Sequence, residues 1–187
     1  MATHVCPWWM GYLLASPIRK LHQNPQEILS PHIEPGMTAV DLGCGMGFFS
    51  IPMARLVGPE GRVICVDLQQ RMLTGLMKRA TRAGVAARVQ PHCCETESLG
   101  LGELEQQVDF ALAFAVVHEV PDQERFFKEL VPLLSPGGKV LVAEPSGLGH
   151  VKPEAFERSL GLARAAGLVE LSRVTIPKSH AVLLGGA

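Results

Sequence analysis

The stretch "AVDLGCGMGFFSIPMA" (39–54) constrains this chain more than any other: an apolar run, three glycines at alternate positions, then a run with helical patterning. A glycine-rich turn between a strand and a helix lets the backbone come close to a bound molecule. If the helix begins near Phe48, Pro52 falls in or near its first turn, where amide hydrogens lack intrahelical partners. The same strand-then-helix alternation continues along the chain. "GRVICVDL" (61–68) reads as a buried strand and "QQRMLTGLMKRATRAG" (69–84) as an amphipathic helix. Met72, Leu73, Leu76, Met77, Ala80 and Ala83 form its core side, Arg71, Lys78, Arg79 and Arg82 face water, and Gly84 caps it.

Farther on, "ARVQPHC" (87–93) is a weaker third strand, and "VDFALAFAVV" (108–117) has the near-continuous apolarity of a central parallel strand. Asp122 is placed to cap a helix carrying Phe126, Phe127, Leu130 and Leu134. "SPGG" (135–138) reads as a turn into "KVLVAEP" (139–145). Pro153 opens a helix closed by Gly167, and segments 168–176 and 180–186 supply two final strands. The alternation predicts an α/β fold: a single-domain, Rossmann-like, doubly wound sheet, mostly parallel with an antiparallel C-terminal strand. In such sheets ligands bind beyond the carboxyl ends of the strands. Residues 43–47, 67–68, 93–95, 114–119 and 144–146 all fall at such ends, which predicts one site.

Charge narrows the partners. With 17 basic against 18 acidic residues there is no basic face to favour nucleic acid, and none is expected as a partner. The five cysteines (Cys6, Cys44, Cys65, Cys93 and Cys94) are odd in number and partly in core positions, which predicts a reducing cytoplasm rather than a disulfide framework. Their spacing fits no zinc site, so no metal is expected. The apolar N-terminus lacks a basic leader and is broken by Pro7 and Pro17, so it reads neither as a signal peptide nor as a membrane span. Residues 1–23 are expected to form a flap or lid, ahead of a ligand-binding domain over 24–187. Trp8, Trp9 and Tyr12 leave three alternatives open for that segment: a lid, ordinary core, or a homodimer contact.

The ligand is constrained by what the loop lacks. A dinucleotide fingerprint would need glycine where Phe48 stands, and the phosphate-binding lysine and hydroxyl of a P-loop are missing. Phosphate is not excluded by this alone, but Asp41, two residues before Gly43, suits a ligand carrying positive charge.

Taken with "VICVDLQQRML" and "VDFALAFAVVHEV…FFKELVPLLSPGGKVLVAEP", the glycine stretch resembles the successive motifs of class I S-adenosylmethionine (SAM)-dependent methyltransferases over residues 24–187. The closest likeness is to small bacterial members that methylate small molecules, including quinone- and arsenite-methylating groups. The resemblance implies SAM as cofactor, S-adenosylhomocysteine as product and a small-molecule acceptor. It implies that Gly43, Cys44, Gly45 and Gly47 approach the methionine part, with Asp41 on its amino-acid end. Asp67 would accept the ribose hydroxyls, although helix capping also accounts for an aspartate there. Leu68 and Met72 would pack on adenine, with core packing an equal explanation for Met72. Cys94 stands where relatives carry an adenine-contacting aspartate, so Glu95 or a backbone group is the expected substitute. Phe114 would border the methionine arm.

His118 and Glu119 follow the fourth strand and are the candidate catalytic residues, His118 as base or substrate clamp. Glu144, ending the fifth strand, is a further candidate for substrate contact. Three other readings stay open: a non-catalytic SAM-binding module, a metalloid methyltransferase of the arsenite type, and a nicotinamide oxidoreductase.

Overall fold

The computed structural model describes residues 23–147 and 151–186, so the expected N-terminal flap, with its aromatic cluster, lies outside the described residues. Seven strands alternate with helices: β1 (Thr38–Leu42), β2 (Arg62–Asp67), β3 (Val89–Cys93), β4 (Val108–Phe114), β5 (Leu134–Pro145), β6 (Leu168–Arg173) and β7 (Ser179–Gly186). Among the described residues the helices are α1 (Pro25–Leu29), α2 (Ser50–Leu56), α3 (Gln70–Arg82), α4 (Gln123–Leu130) and α5 (Pro153–Ala165). The strands lie in one sheet of order β3-β2-β1-β4-β5-β7-β6. The pairs β1–β2, β2–β3 and β4–β5 are parallel, whereas β7 runs antiparallel to both β5 and β6. The expected mostly parallel α/β sheet with an antiparallel C-terminal strand is therefore the observed one. By compactness the chain divides between Cys94 and Glu95 into two units.

In the unit ending at Cys94, β1 and β2 are buried through Leu42 and Val66 because both faces are covered, which is why their apolar runs do not alternate. Helix α2 begins at Ser50, two residues later than its apolar pattern suggests, and Pro52 occupies its first turn as expected. Helix α3 buries Met72, Leu73, Gly75, Leu76 and Ala80. It ends on Gly84 at φ +71, with the Gly84 amide bonded to the Thr81 carbonyl and the Val85 amide to the Ala80 carbonyl, the paired closure of a Schellman motif. Arg79, expected to face water, instead turns back to donate to the carbonyl of Met46 in the glycine loop. A 3₁₀ turn at Ala86–Arg88 takes the first residues of the expected third strand, and β3, an edge of the sheet, carries Pro91 at its centre.

In the unit beginning at Glu95, β4 stops at Phe114, three residues earlier than its apolar run, because Ala115 takes φ +57. Asp122 caps α4 by accepting from the Arg125 amide, as expected. The expected "SPGG" turn is a bulge within β5: Val108 pairs with Leu134 and Phe110 with Lys139, so residues 135–138 are largely extra to the ladder. Helices α4 and α5 pack together, and α5 packs on β6, which ends at Arg173 rather than continuing to 176.

Candidate functional site

The loop after β1 is shaped by its glycines. Gly43, Gly45 and Gly47 adopt φ of +70°, +52° and +78°. A Cβ on Gly47 would lie 2.2 Å from Leu76 Cδ1, so this glycine is required for α3 to pack against the loop. A Cβ on Gly45 would meet nothing within 4 Å, so space is left open beside that backbone. Arg79, half-buried on α3, holds the loop from the other side through the Met46 carbonyl, and burial lowers its guanidinium pKa from the ordinary value.

The loop amides are turned inward. Those of Gly43 and Cys44 both bond the Val66 carbonyl (2.9 and 3.0 Å), that of Gly47 bonds the Cys44 carbonyl (2.9 Å), and that of Gly45 bonds Asp67 Oδ2 (2.9 Å). A loop that cradles phosphate aims such amides at the ligand. This loop uses them to fold itself, which fits a ligand without phosphate at this point.

Asp67, at the end of β2, accepts from the Gly45 amide on one oxygen and from the Gln69 amide on the other (2.9 Å). The second bond is a local Asx turn onto Gln69, the residue before α3, whose amino end has no side-chain cap, so Asp67 is not the helix cap of its alternative reading. Each carboxylate oxygen has two acceptor directions, so the pair retains capacity for a vicinal diol. Burial raises its pKa, opposed by the two amides. Next to it, Leu68 is 38 % exposed, whereas Met72 is buried at 3 % and belongs to the core. Asp41 is buried and accepts the hydroxyl proton of Ser50, a partner in the first turn of α2 that spacing alone did not reveal.

Two of the cysteines are poor thiolates here. Burial, reinforced by Cys65 and the nearby carboxylates, drives the Cys44 thiol well above its usual pKa, and burial beside Asp67 and Cys93 pushes Cys94 up to about 11. Cys93 is exposed, its thiol directed at the Leu68 carbonyl. Among the described residues no group of three or more His, Cys, Asp or Glu could hold a metal ion.

In the other unit the polar chemistry gathers at the ends of β4 and β5. Phe114 is buried at the end of β4, and Glu95 sits in an exposed bridge with Ser98. The left-handed turn at Ala115, a conformation costing about 1–2 kcal/mol for a residue with a Cβ, leads into a 3₁₀ turn at Val117–Glu119. Glu144 is 1 % exposed. Its Oε1 accepts from the amides of Val117 (2.7 Å) and His118 (3.3 Å), and its Oε2 engages His118 Nδ1. Glu144, the further candidate for substrate contact, is thus buried against His118, whose side chain is 36 % exposed. The pairing raises the His118 pKa above its ordinary value, with burial opposing. Behind the turn, Gln123 donates to the Val117 carbonyl (2.9 Å) and accepts from Ser159 Oγ (2.7 Å). Glu119, the other catalytic candidate, is the neighbour of His118 in the turn, and its charge adds to the upward shift.

Against known proteins, the methyltransferase-domain family matches residues 33–169. The chain belongs to that family. Its relatives include a demethylmenaquinone methyltransferase of Lactobacillus johnsonii, 32 % identical over 114 residues that make up 61 % of this chain and 46 % of the relative. An arsenite methyltransferase of Halobacterium salinarum is 32 % identical over 127 residues, 65 % of this chain and 30 % of that one. The chain thus spans about half or less of the length of these two relatives. The crystal structure of a SAM-dependent methyltransferase from Aquifex aeolicus superposes with a TM-score of 0.85 at 23 % identity, covering 98 % of this chain and 100 % of that one. It shares the fold. The recognition of a class I methyltransferase from the motifs agrees with all three comparisons, and SAM is the cofactor that this family implies. No helix among the described residues is long and apolar enough to cross a membrane.

Proposed function

We propose that this protein transfers the methyl group of SAM to a small-molecule acceptor. The observation that carries the reading is the glycine loop tied by Gly45 to Asp67: it leaves open space and a carboxylate, with the amides of Gly43, Cys44, Gly45 and Gly47 spent on the loop's own folding. Asp67 would hold the ribose hydroxyls and Leu68 would offer its exposed apolar surface to the adenine. Gly43, Cys44, Gly45 and Gly47 would line the methionine part, with Asp41 bracing the loop through Ser50. Cys94, Glu95 and Phe114 complete the proposed cofactor set, and His118 and Glu119 belong to the acceptor side. SAM supplies a methyl group already made electrophilic by the sulfonium, so the protein's principal task is orientation, worth on the order of 7–11 kcal/mol.

A nicotinamide reading lacks the third glycine of its fingerprint, with Phe48 in that place, and four amides of the loop, those of Gly43, Cys44, Gly45 and Gly47, are already bonded within the protein. An arsenite-type reading gains little from Cys44 and Cys94, because burial raises both thiols above their usual pKa and disfavours the metalloid-binding thiolate. Calorimetry of the full chain with SAM, S-adenosylhomocysteine and NAD tests the assignment. Tight binding of the first two and weak binding of NAD is expected, and preference for NAD would overturn it. Methylated product formed from a metabolite extract separates an enzyme from a binding module.

A further inference from the structure

We propose that His118 is the general base of the transfer, that Glu144 is its positioning residue, and that the acceptor carries a phenol-type hydroxyl. The inference rests on the methyl-transfer reading above and deepens it. Three features of the structure carry it. First, Glu144 is buried, with Oε1 taken by two backbone amides, so Oε2 is directed at His118 Nδ1 and cannot rotate away without losing those bonds. Second, the amides that hold it come from the turn that carries His118, and that turn is itself fastened by Gln123 and Ser159. The imidazole is therefore fixed at both its ring and its backbone. Third, no described residue bonds Nε2, and the side chain remains partly exposed.

A carboxylate on Nδ1 fixes the proton there in the neutral ring, leaving the lone pair on Nε2. A ring so arranged accepts a proton and then rests as an imidazolium beside a carboxylate. An acceptor already anionic at neutral pH would have no use for it. A phenol, with an ordinary pKa near 10, would. In the step, the hydroxyl proton passes to Nε2, and the oxygen forms the new O–CH3 bond as the S–CH3 bond breaks with its electron pair remaining on sulfur. The imidazolium then returns its proton to water. The groups acting on His118 are Glu144 from β5 and Glu119 from its own turn, and His180 of β7 stands opposite Glu144 in the strand register.

The test uses the full chain and the variants Glu144→Gln and His118→Gln, with SAM, and with phenol, catechol and 4-nitrophenol as probe acceptors. Nitrogen-15 spectra of the histidines should show His118 with its proton on Nδ1 and a pKa above 6.5 in the wild type, falling in Glu144→Gln. Methylation of the weakly acidic probes should require the neutral ring, so kcat/KM should rise with pH through the His118 pKa. That limb should move to lower pH in Glu144→Gln while kcat drops about 10- to 100-fold, and His118→Gln should lose about 100-fold or more. SAM affinity should be unchanged in both variants, which separates this proposal from the cofactor reading: a wild type that fails to bind SAM sinks that reading instead. A His118 pKa or tautomer indifferent to Glu144, an unmoved acid limb, or no methylation of any probe by a chain that binds SAM would each overturn the proposal.

Discussion

Between Thr38 and Cys94, the strand ends present mostly backbone: inward-bonded amides, glycines and one partly exposed carboxylate at Asp67. Between Val108 and Glu144 they present a side-chain dyad built around a carboxylate that water hardly reaches. The two arrangements solve different problems. A backbone-lined loop recognises shape at little electrostatic cost, whereas a buried carboxylate is tolerated only where hydrogen bonds stand in for water, here from two amides and an imidazole. The first arrangement suits holding a cofactor that brings its own reactivity; the second suits handling a proton.

Removing the carboxylate of the first region should have the largest effect. In Asp67→Ala, SAM binding measured by calorimetry is expected to weaken about 10- to 100-fold, the loss of charge-assisted hydrogen bonds, while circular dichroism stays native. Equal affinity would place the ribose elsewhere and break the contrast. Two glycine variants sharpen it. Gly47→Ala should lower stability to urea by about 2–4 kcal/mol, from the clash with Leu76 plus the left-handed backbone. Gly45→Ala, with open space at its Cβ, should cost only the backbone strain of about 1–2 kcal/mol, yet it should weaken SAM binding. If Gly45→Ala binds SAM as the wild type does, that space is not where the ligand lies. Smaller still, Arg79→Met should cost about 0.5–1.5 kcal/mol in the same urea titration, the net worth of its bond to Met46.

The smallest expected effect is a pH dependence in the second region. The folded pKa of His118 lies above its ordinary 6.5, so the pair's contribution to stability is fully present below that value and is lost as pH rises through the folded pKa. The stability gap between wild type and His118→Gln should therefore narrow from pH 5.5 to pH 9. A gap constant across that range would mean the imidazole gains nothing from Glu144.

Much of the fold was legible because it rests on patterns the chain repeats locally. Apolar runs fixed the strands, Asp122 and Gly84 marked helix ends, and alternation predicted the parallel sheet. What escaped depends on contacts between distant residues. The apolar run 108–117 does not reveal that Ala115 turns left-handed, because alanine has no special preference for that conformation. Arg79 reads as solvent-facing by periodicity, yet its length lets it reach the loop 33 residues away in sequence. Glu144 reads from the sequence as a strand-end carboxylate, but its partner His118 is 26 residues away and meets it only through the pairing of β4 with β5. Ser50 carries no signal beyond its place at a helix start.

The two edges of the sheet have a consequence for association. At one edge, Pro91 removes a donor from the middle of β3, so a strand from another chain would meet a gap in the ladder. At the other, β6 is kinked by a bulge between Glu170 and Ser172 and flanked by the ion pairs of Arg173 with Glu170 and Glu157. Both edges are thereby spoiled as templates for strand addition, by a missing hydrogen at one end and by kinked, charged backbone at the other. A sequence that is 47 % hydrophobic and carries long aliphatic strands is the kind that amyloid-like stacking exploits. Its protection against that fate is written into its two outermost strands, neither of which holds a proposed catalytic residue.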